Sequence, residues 1–243
     1  MYLCCSHIFF KERNYLGSYL TSSIDNRIAV ASDVESAARA YDNASVNTVL
    51  LLSPLAHAFD YACAYLDAGE VDACKSYLNL LRPEERHDFK LLRPAQQDLI
   101  LDIKSKEDCL ADIFTEVVGV GAFIDVQRYV PTRRSVMRTA IPHIDECDSH
   151  MVATLLGQSG TLLYLKDYTG IKESAFKSGE VIVRSQDVVE ANPTHLCFIK
   201  GTDHPDVVDS PTLEARWHSS PVSKLPATPR LASFYAMRNG RNM

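Results

Sequence analysis

His143-Ile144-Asp145 is the first place in the chain where residue type and spacing together could do chemistry. In an extended segment residues i and i+2 point to the same face, so an imidazole and a carboxylate converge on one small volume and could share a metal ion. Alone, the HxD pattern is common by chance and reads as a surface or turn-forming pair. His218 closes the aromatic run Ala215-Arg216-Trp217-His218, and Arg230 follows twelve places on. By itself such a strand-end histidine need do no more than bond a carbonyl. Together, two His and one carboxylate fill one face of an octahedral Fe(II) and leave three adjacent positions open. Non-haem iron oxygenases use that arrangement to bring a co-substrate and O2 together. The pairing is informative where neither half is.

A rival constellation overlaps it. His143, Asp145, Cys147 and His150 lie within eight residues, and this H-x3-C-x2-H spacing with a carboxylate could make a local zinc site. On one extended strand Cys147 would share the face of His143 while His150 pointed away, so this set needs a turn. The remaining candidates have simpler explanations. His195-Leu196-Cys197 repeats the alternation but suits an edge histidine and a core cysteine. His57 and His87 sit in helical surroundings as surface or packing residues, and nothing makes Cys4-Cys5 a redox pair. Arg133, Arg134 and Arg138 form a short basic stretch ahead of the HxD, either a solvated face or a mouth that attracts anions.

The elements that must position these residues change character along the chain. Val34 to Tyr41 and Ala56 to Leu81 read as helix, with Gly69 as a break, and Pro83 followed by two acids suits another helix start. The clearest helix is 106 to 118. Ser105 with Asp108 gives a capping-box spacing, Leu110, Ile113, Phe114, Val117 and Val118 recur on one face, and Gly119 is the stop. Beyond it come seven short runs rich in β-branched and aromatic residues: 123–130, 151–156, 161–165, 180–184, 196–200, 213–217 and 230–236. They predict a sheet sandwich or open barrel with the helices on one outer face.

Composition removes several classes of function. With 46% hydrophobic residues, 23% charged, 10 Gly and 11 Pro, the 243-residue chain is globular, of a length for one large domain or a helical region joined to one core. A formal charge of −6 argues against a surface built to neutralise phosphates, so nucleic acid is not an expected partner. Seven Cys without any CxxC indicate neither a disulfide framework nor a four-cysteine zinc module, and favour the reducing cytoplasm. The apolar opening is broken by His7 and meets Lys11-Glu12-Arg13 at once, a poor signal peptide, and no apolar run is long enough to predict a membrane span.

The motif order resembles known proteins. HxD, then the Gly157-Gln158-Ser159-Gly160-Thr161 turn, a distal His and a following Arg look like the double-stranded β-helix of iron and 2-oxoglutarate dioxygenases. More closely, His143-Ile144-Asp145, Ala153 to Thr161, Phe198-Ile199-Lys200-Gly201, His218-Ser219-Ser220-Pro221 and Arg230-Leu231 are similar to an uncharacterised bacterial domain-of-unknown-function family, DUF1826, over roughly residues 107 to 236. That resemblance implies a metal-binding β fold and brings no established reaction. Ser219 stands where the family tends to have Arg, which removes an anion contact, and Leu155 where an aromatic is usual, which would alter the pocket wall. The six-residue Arg spacing of the nucleic-acid dealkylating relatives is not matched, since Arg230 and Arg238 are eight apart.

The expectation is therefore an α+β protein, with a helical N-terminal region over 1–105 packed on a C-terminal double-stranded β-helix, a cupin-like jelly roll, over 106–243. The expected function is an Fe(II)- and 2-oxoglutarate-dependent dioxygenase acting on a small molecule or peptide. His143, Asp145 and His218 would hold the metal, Arg230 the co-substrate's distal carboxylate, and Tyr164 or Thr154 would add a hydroxyl. The alternative is a non-catalytic metal-binding protein that uses the same three residues for zinc in metal homeostasis. An interaction module without metal is least favoured because the triad is intact.

Overall fold

Apolar side chains run almost without a break through Thr48–Leu52 and His195–Lys200, and burial of both faces of these strands requires a layer on either side of the sheet. The computed structural model describes residues 25–53, 66, 68–80, 82–119, 124–129, 141–157, 160–166, 168, 170–178, 180–210, 212–220 and 231–237. Among these, β1 (Ile28–Ala31), β2 (Thr48–Leu52), β3 (Ile124–Tyr129), β4 (Ser149–Leu156), β7 (His195–Lys200) and β9 (Leu231–Met237) form a six-stranded sheet in the order β1-β2-β7-β4-β9-β3. The pair β1–β2 is parallel and the other pairs are antiparallel. A second sheet has the order β6-β5-β8, from β5 (Leu162–Tyr164), β6 (Val188–Glu190) and β8 (His218–Ser219).

One face of the large sheet carries the helices. Val49, Leu51, Met151, Ala153, Leu155, Leu196, Phe198, Leu231 and Tyr235 form one core with the helices α1 (Val34–Tyr41), α2 (Ala68–Leu78) and α3 (Pro94–Val118). The neighbouring residues of the same strands, Leu50, Val152, Cys197 and Ile199, pack instead with Leu163 and Ala191 of the small sheet and its flank. The protein is thus a mixed helix-and-sheet structure in three layers: helices, large sheet, small sheet. Burying both faces fixes register, because a one-residue slip would exchange the two cores.

Several sequence expectations are corrected. The first half is not helical throughout, since β1 and β2 enter the large sheet; Thr48, Val49, Leu50 and Leu51 are all buried, the pattern of an inner strand. The long helix α3 begins at Pro94, twelve residues before the expected start at 106, and the proposed cap Ser105 lies inside it, its hydroxyl donating to the Asp102 carbonyl at 2.7 Å. Proline at the first helical position supplies the actual start. Gly119 does end it, at φ 92°. Within the expected helical stretch 56–81, α2 begins at Ala68, one residue before Gly69, and Leu66 is outside any helix; residues 56–65 lie outside the described residues.

The expected strand over 180–184 is absent and Ile182 is 82% exposed; pairing starts only at Val188. Across 213–217 the chain is largely buried but makes no strand of its own. There Arg216 is anchored through its side chain to Asn47 Oδ1, Asp25 Oδ2 and the Tyr164 carbonyl. No helix among the described residues is long and apolar enough to cross a membrane.

Candidate metal centre

The three residues singled out by spacing meet at the open side of the small sheet. His143 and His218 form an antiparallel bridge, each backbone N–H donating to the other's carbonyl at 3.0 Å, and this puts their rings 4.5 Å apart. Asp145 follows on a turn. Ligand-capable atoms of His143, Asp145 and His218 all lie within 4.8 Å of one another. His218 Nε2 is 3.1 Å from Asp145 Oδ2, and His143 Nε2 is 3.9 Å from Asp145 Oδ1.

The turn bearing Asp145 is held from behind by the chain leaving β7. Backbone N–H groups of Gly201, Thr202 and Asp203 donate to the carbonyls of Asp148, Asp145 and Cys147 at 2.9, 3.2 and 3.1 Å. Gly201 permits this approach, because a Cβ there would sit 2.1 Å from the Cys147 carbonyl oxygen. Lys200, fully buried, ties the same corner to Asp206 at 2.6 Å and to the Asn43 carbonyl at 3.1 Å.

Hydrogen bonds at the far ring nitrogens assign the tautomers of the two triad histidines. His143 Nδ1 meets the Ile141 carbonyl at 2.8 Å and His218 Nδ1 meets the Arg216 carbonyl at 3.1 Å. A carbonyl only accepts, so Nδ1 carries the proton in both and each Nε2 turns a lone pair toward Asp145. Two lone pairs and a carboxylate facing one point repel unless a cation lies between them. Asp145 Oδ2 is buried and no hydrogen bond reaches it among the described residues. The residues therefore fit a divalent metal: adjacent ligands on an octahedral ion with bonds of about 2.1 Å stand about 3 Å apart, close to the His218–Asp145 separation.

Without a metal the same carboxylate favours a proton on His218. Burial would push the His218 imidazole down, but the Asp145 carboxylate outweighs it and the net shift is upward. Burial would likewise raise the Asp145 carboxyl, yet His218, His150 and His143 hold it well below the usual carboxylate range.

In front of these residues lies a cavity of about 200 Å³ between the two sheets. Val152, Ala232, Phe234 and Ala236 of the large sheet line it on one side, and Thr161, Ser219 and Ser220 on the other. Thr154 shares the Val152 side of β4 by alternation but is not in this lining. Tyr164 stands one residue back: buried among Tyr168 and Trp217, it meets Ser219 through the two hydroxyls at 2.8 Å. Ser219, the residue at which the resemblance leads one to expect Arg, thus bonds the Tyr164 hydroxyl. Leu155 faces the helical core and is no part of the pocket wall, because it has the odd parity of Met151 and Ala153. Arg230, Arg133, Arg134, Arg138, Arg238, His57 and Cys4-Cys5 lie outside the described residues. His87 is exposed and Cys197 is in the core, as expected.

The rival zinc set is not assembled around one point. His150 is turned so that Nδ1 meets Cys147 Sγ at 3.5 Å while Nε2 lies 3.4 Å from Asp145 Oδ2. Cys147 and Asp145 thus address opposite edges of the ring, which a single ion cannot bridge. Sequence reasoning undervalued His150 by starting the strand at Met151. Because β4 begins at Ser149, His150 has the parity of Val152 and points into the space between the sheets.

No protein-family model matches the chain, so the likeness to the bacterial DUF1826 family remains one of motifs. No curated protein matches either. Among solved structures the chain is similar to full-length T7H of Neurospora crassa in complex with alpha-KG, at 11% identity and a TM-score of 0.41, covering 86% of this chain and 81% of that one. It is also similar to AtDAO1, the dioxygenase for auxin oxidation 1 from Arabidopsis thaliana, in complex with 2-oxoglutarate, at 10% identity and a TM-score of 0.38, covering 89% of this chain and 93% of that one. Likeness of this degree carries no functional weight; the side chains around Asp145 do.

Proposed function

We propose that the chain is a non-haem Fe(II)- and 2-oxoglutarate-dependent dioxygenase whose organic substrate enters the cavity in front of His143, Asp145 and His218. What supports this is the set of three acceptors turned toward one point, with both histidine tautomers locked by carbonyls behind them. Fe(II) held there would supply redox chemistry at coordination positions left open to the cavity. The chain's own contribution is orientation and exclusion of water. Carbonyls of Ile141 and Arg216 keep the two Nε2 atoms directed inward, and Phe234, Val152, Ala232 and Ala236 make the opposite wall apolar.

Arg230 precedes the cavity-lining Ala232 by two places, and in this reading its guanidinium pairs with the distal carboxylate of 2-oxoglutarate. The two sheets with a cavity between them support the double-stranded β-helix form of the architecture.

The test is metal content after anaerobic purification, followed by 2-oxoglutarate turnover. A charge-assisted pair contributes about 1.5–3 kcal/mol, so Arg230→Ala should weaken 2-oxoglutarate binding about 10- to 100-fold and leave metal content unchanged. Iron with saturable 2-oxoglutarate binding supports the reading. Tightly held zinc without turnover would replace it by the non-catalytic metal-binding protein.

A further inference from the structure

His150 stands against the same carboxylate as the two triad histidines, but its far nitrogen has a different partner. Behind His143 and His218 stands a carbonyl, which forces the proton onto Nδ1. Behind His150 stands the thiol of Cys147, 3.5 Å from Nδ1, and a thiol can donate. If the thiol donates, Nδ1 accepts, and the ring proton must be on Nε2. That atom is fully buried and has no hydrogen-bond partner among the described residues, and Asp145 Oδ2, likewise without one, stands 3.4 Å away. The ring plane is set by stacking on Phe234, at 4.9 Å between centroids and 24° between planes, with His218 at 5.0 Å on another side. The register of β4 holds its backbone, opposite Ile199 on β7 and Ala236 on β9.

From this geometry we infer that His150 is a positioning residue for the metal centre: it donates Nε2–H to Asp145 Oδ2, with Cys147 fixing the tautomer. A carboxylate oxygen has two lone pairs, so Oδ2 can accept from His150 and still face the metal beside His218 Nε2, and the bond from His150 sets how the carboxylate is turned. Three imidazoles of similar placement are thereby divided into two ligands and one donor by what stands behind each ring. The inference rests on the metal-binding reading of His143, Asp145 and His218, and it concerns no step of the reaction.

A readout that a purely structural role would leave alone is the tautomer itself. Long-range 1H–15N correlation spectra of 15N-histidine-labelled protein, with chelator and then with Zn(II) as a diamagnetic probe, report it for each ring. His143 and His218 should be Nδ1–H tautomers when neutral, and their Nε2 signals should move on adding Zn(II). His150 should be the Nε2–H tautomer in both spectra. An Nδ1–H tautomer for His150, or a Zn(II)-dependent shift of its Nε2 like those of the other two, would make it a fourth ligand and overturn the inference.

Variants give a second, independent measurement. His150→Gln keeps an N–H near the ε position and should retain Zn(II) affinity within about threefold, whereas His150→Phe keeps the ring shape without it and should bind about 10- to 100-fold more weakly. Equal affinity for wild type and His150→Phe overturns the proposal. Should the Phe variant not fold, the wild-type tautomer decides alone. A wild type that binds neither Zn(II) nor Fe(II) defeats the metal reading and the inference together. Metal binding with the wrong tautomer defeats only the inference.

Discussion

Gly201→Ala offers a sharp test of how the candidate metal centre is held. The added methyl carbon would lie 2.1 Å from the Cys147 carbonyl oxygen and 3.0 Å from that of Asp145. A relaxed carbon-to-oxygen contact needs about 3.3 Å, so the Asp145 turn must retreat by about 1 Å. Overpacking of this kind costs about 1–3 kcal/mol. Weakening the three backbone hydrogen bonds from Gly201, Thr202 and Asp203 brings the loss to about 2–5 kcal/mol. For a chain of this length that lowers Tm by roughly 5–15 °C.

Displacing a ligand's supports typically weakens metal binding about 10- to 100-fold, and this variant should do the same. Competition against a chromophoric chelator measures affinity, and thermal unfolding with excess chelator measures stability. Gly119→Ala is the control. Gly119 has φ 92° with open space around it, so alanine there strains the backbone, lowers stability and leaves metal affinity at the wild-type level. Wild-type affinity and Tm in Gly201→Ala would refute the idea that this close approach positions Asp145.

Two further outcomes separate the readings. His218→Ala should abolish metal binding while Cys147→Ser leaves its stoichiometry intact; a zinc site built on Cys147 and His150 predicts the reverse order, and metal analysis after dialysis decides. Acid sensitivity should carry a mark of His150, whose pKa burial pushes down to about 3. Below pH about 6.5 the unfolded chain binds a proton there that the folded chain refuses, so stability falls with falling pH by about 1.4 kcal/mol per unit. His195 and His204, also pushed down by burial, add to it. His218 is shifted the other way and costs stability only as pH rises above 6.5 toward its raised value. Denaturant titrations between pH 4 and 6.5 should show a shallower slope in His150→Phe, and an unchanged slope would contradict the buried neutral imidazole.

The sequence alone singled out the three residues that the structure brings within 4.8 Å of one another. HxD can place two ligands on one side only in an extended segment, and a strand-end His after an aromatic run completes the set; these are local facts that pairing had only to bring together. It also marked strands over 151–156, 196–200 and 230–236, runs of β-branched, aromatic and aliphatic residues that overlap the observed Ser149–Leu156, His195–Lys200 and Leu231–Met237. Tertiary structure decided what depends on partners distant in sequence. Thr48–Leu52 is a short apolar run that periodicity cannot tell from helix, and it is a strand because β7 and β1 flank it. Across 213–217 strand-forming residues make no strand, and the segment is tied down instead by the Arg216 side chain on Asn47 and the Tyr164 carbonyl. Nor could spacing divide the roles of three histidines. His143, His150 and His218 differ in what lies behind each ring, two carbonyls and a thiol, and that is set by how the strands pack.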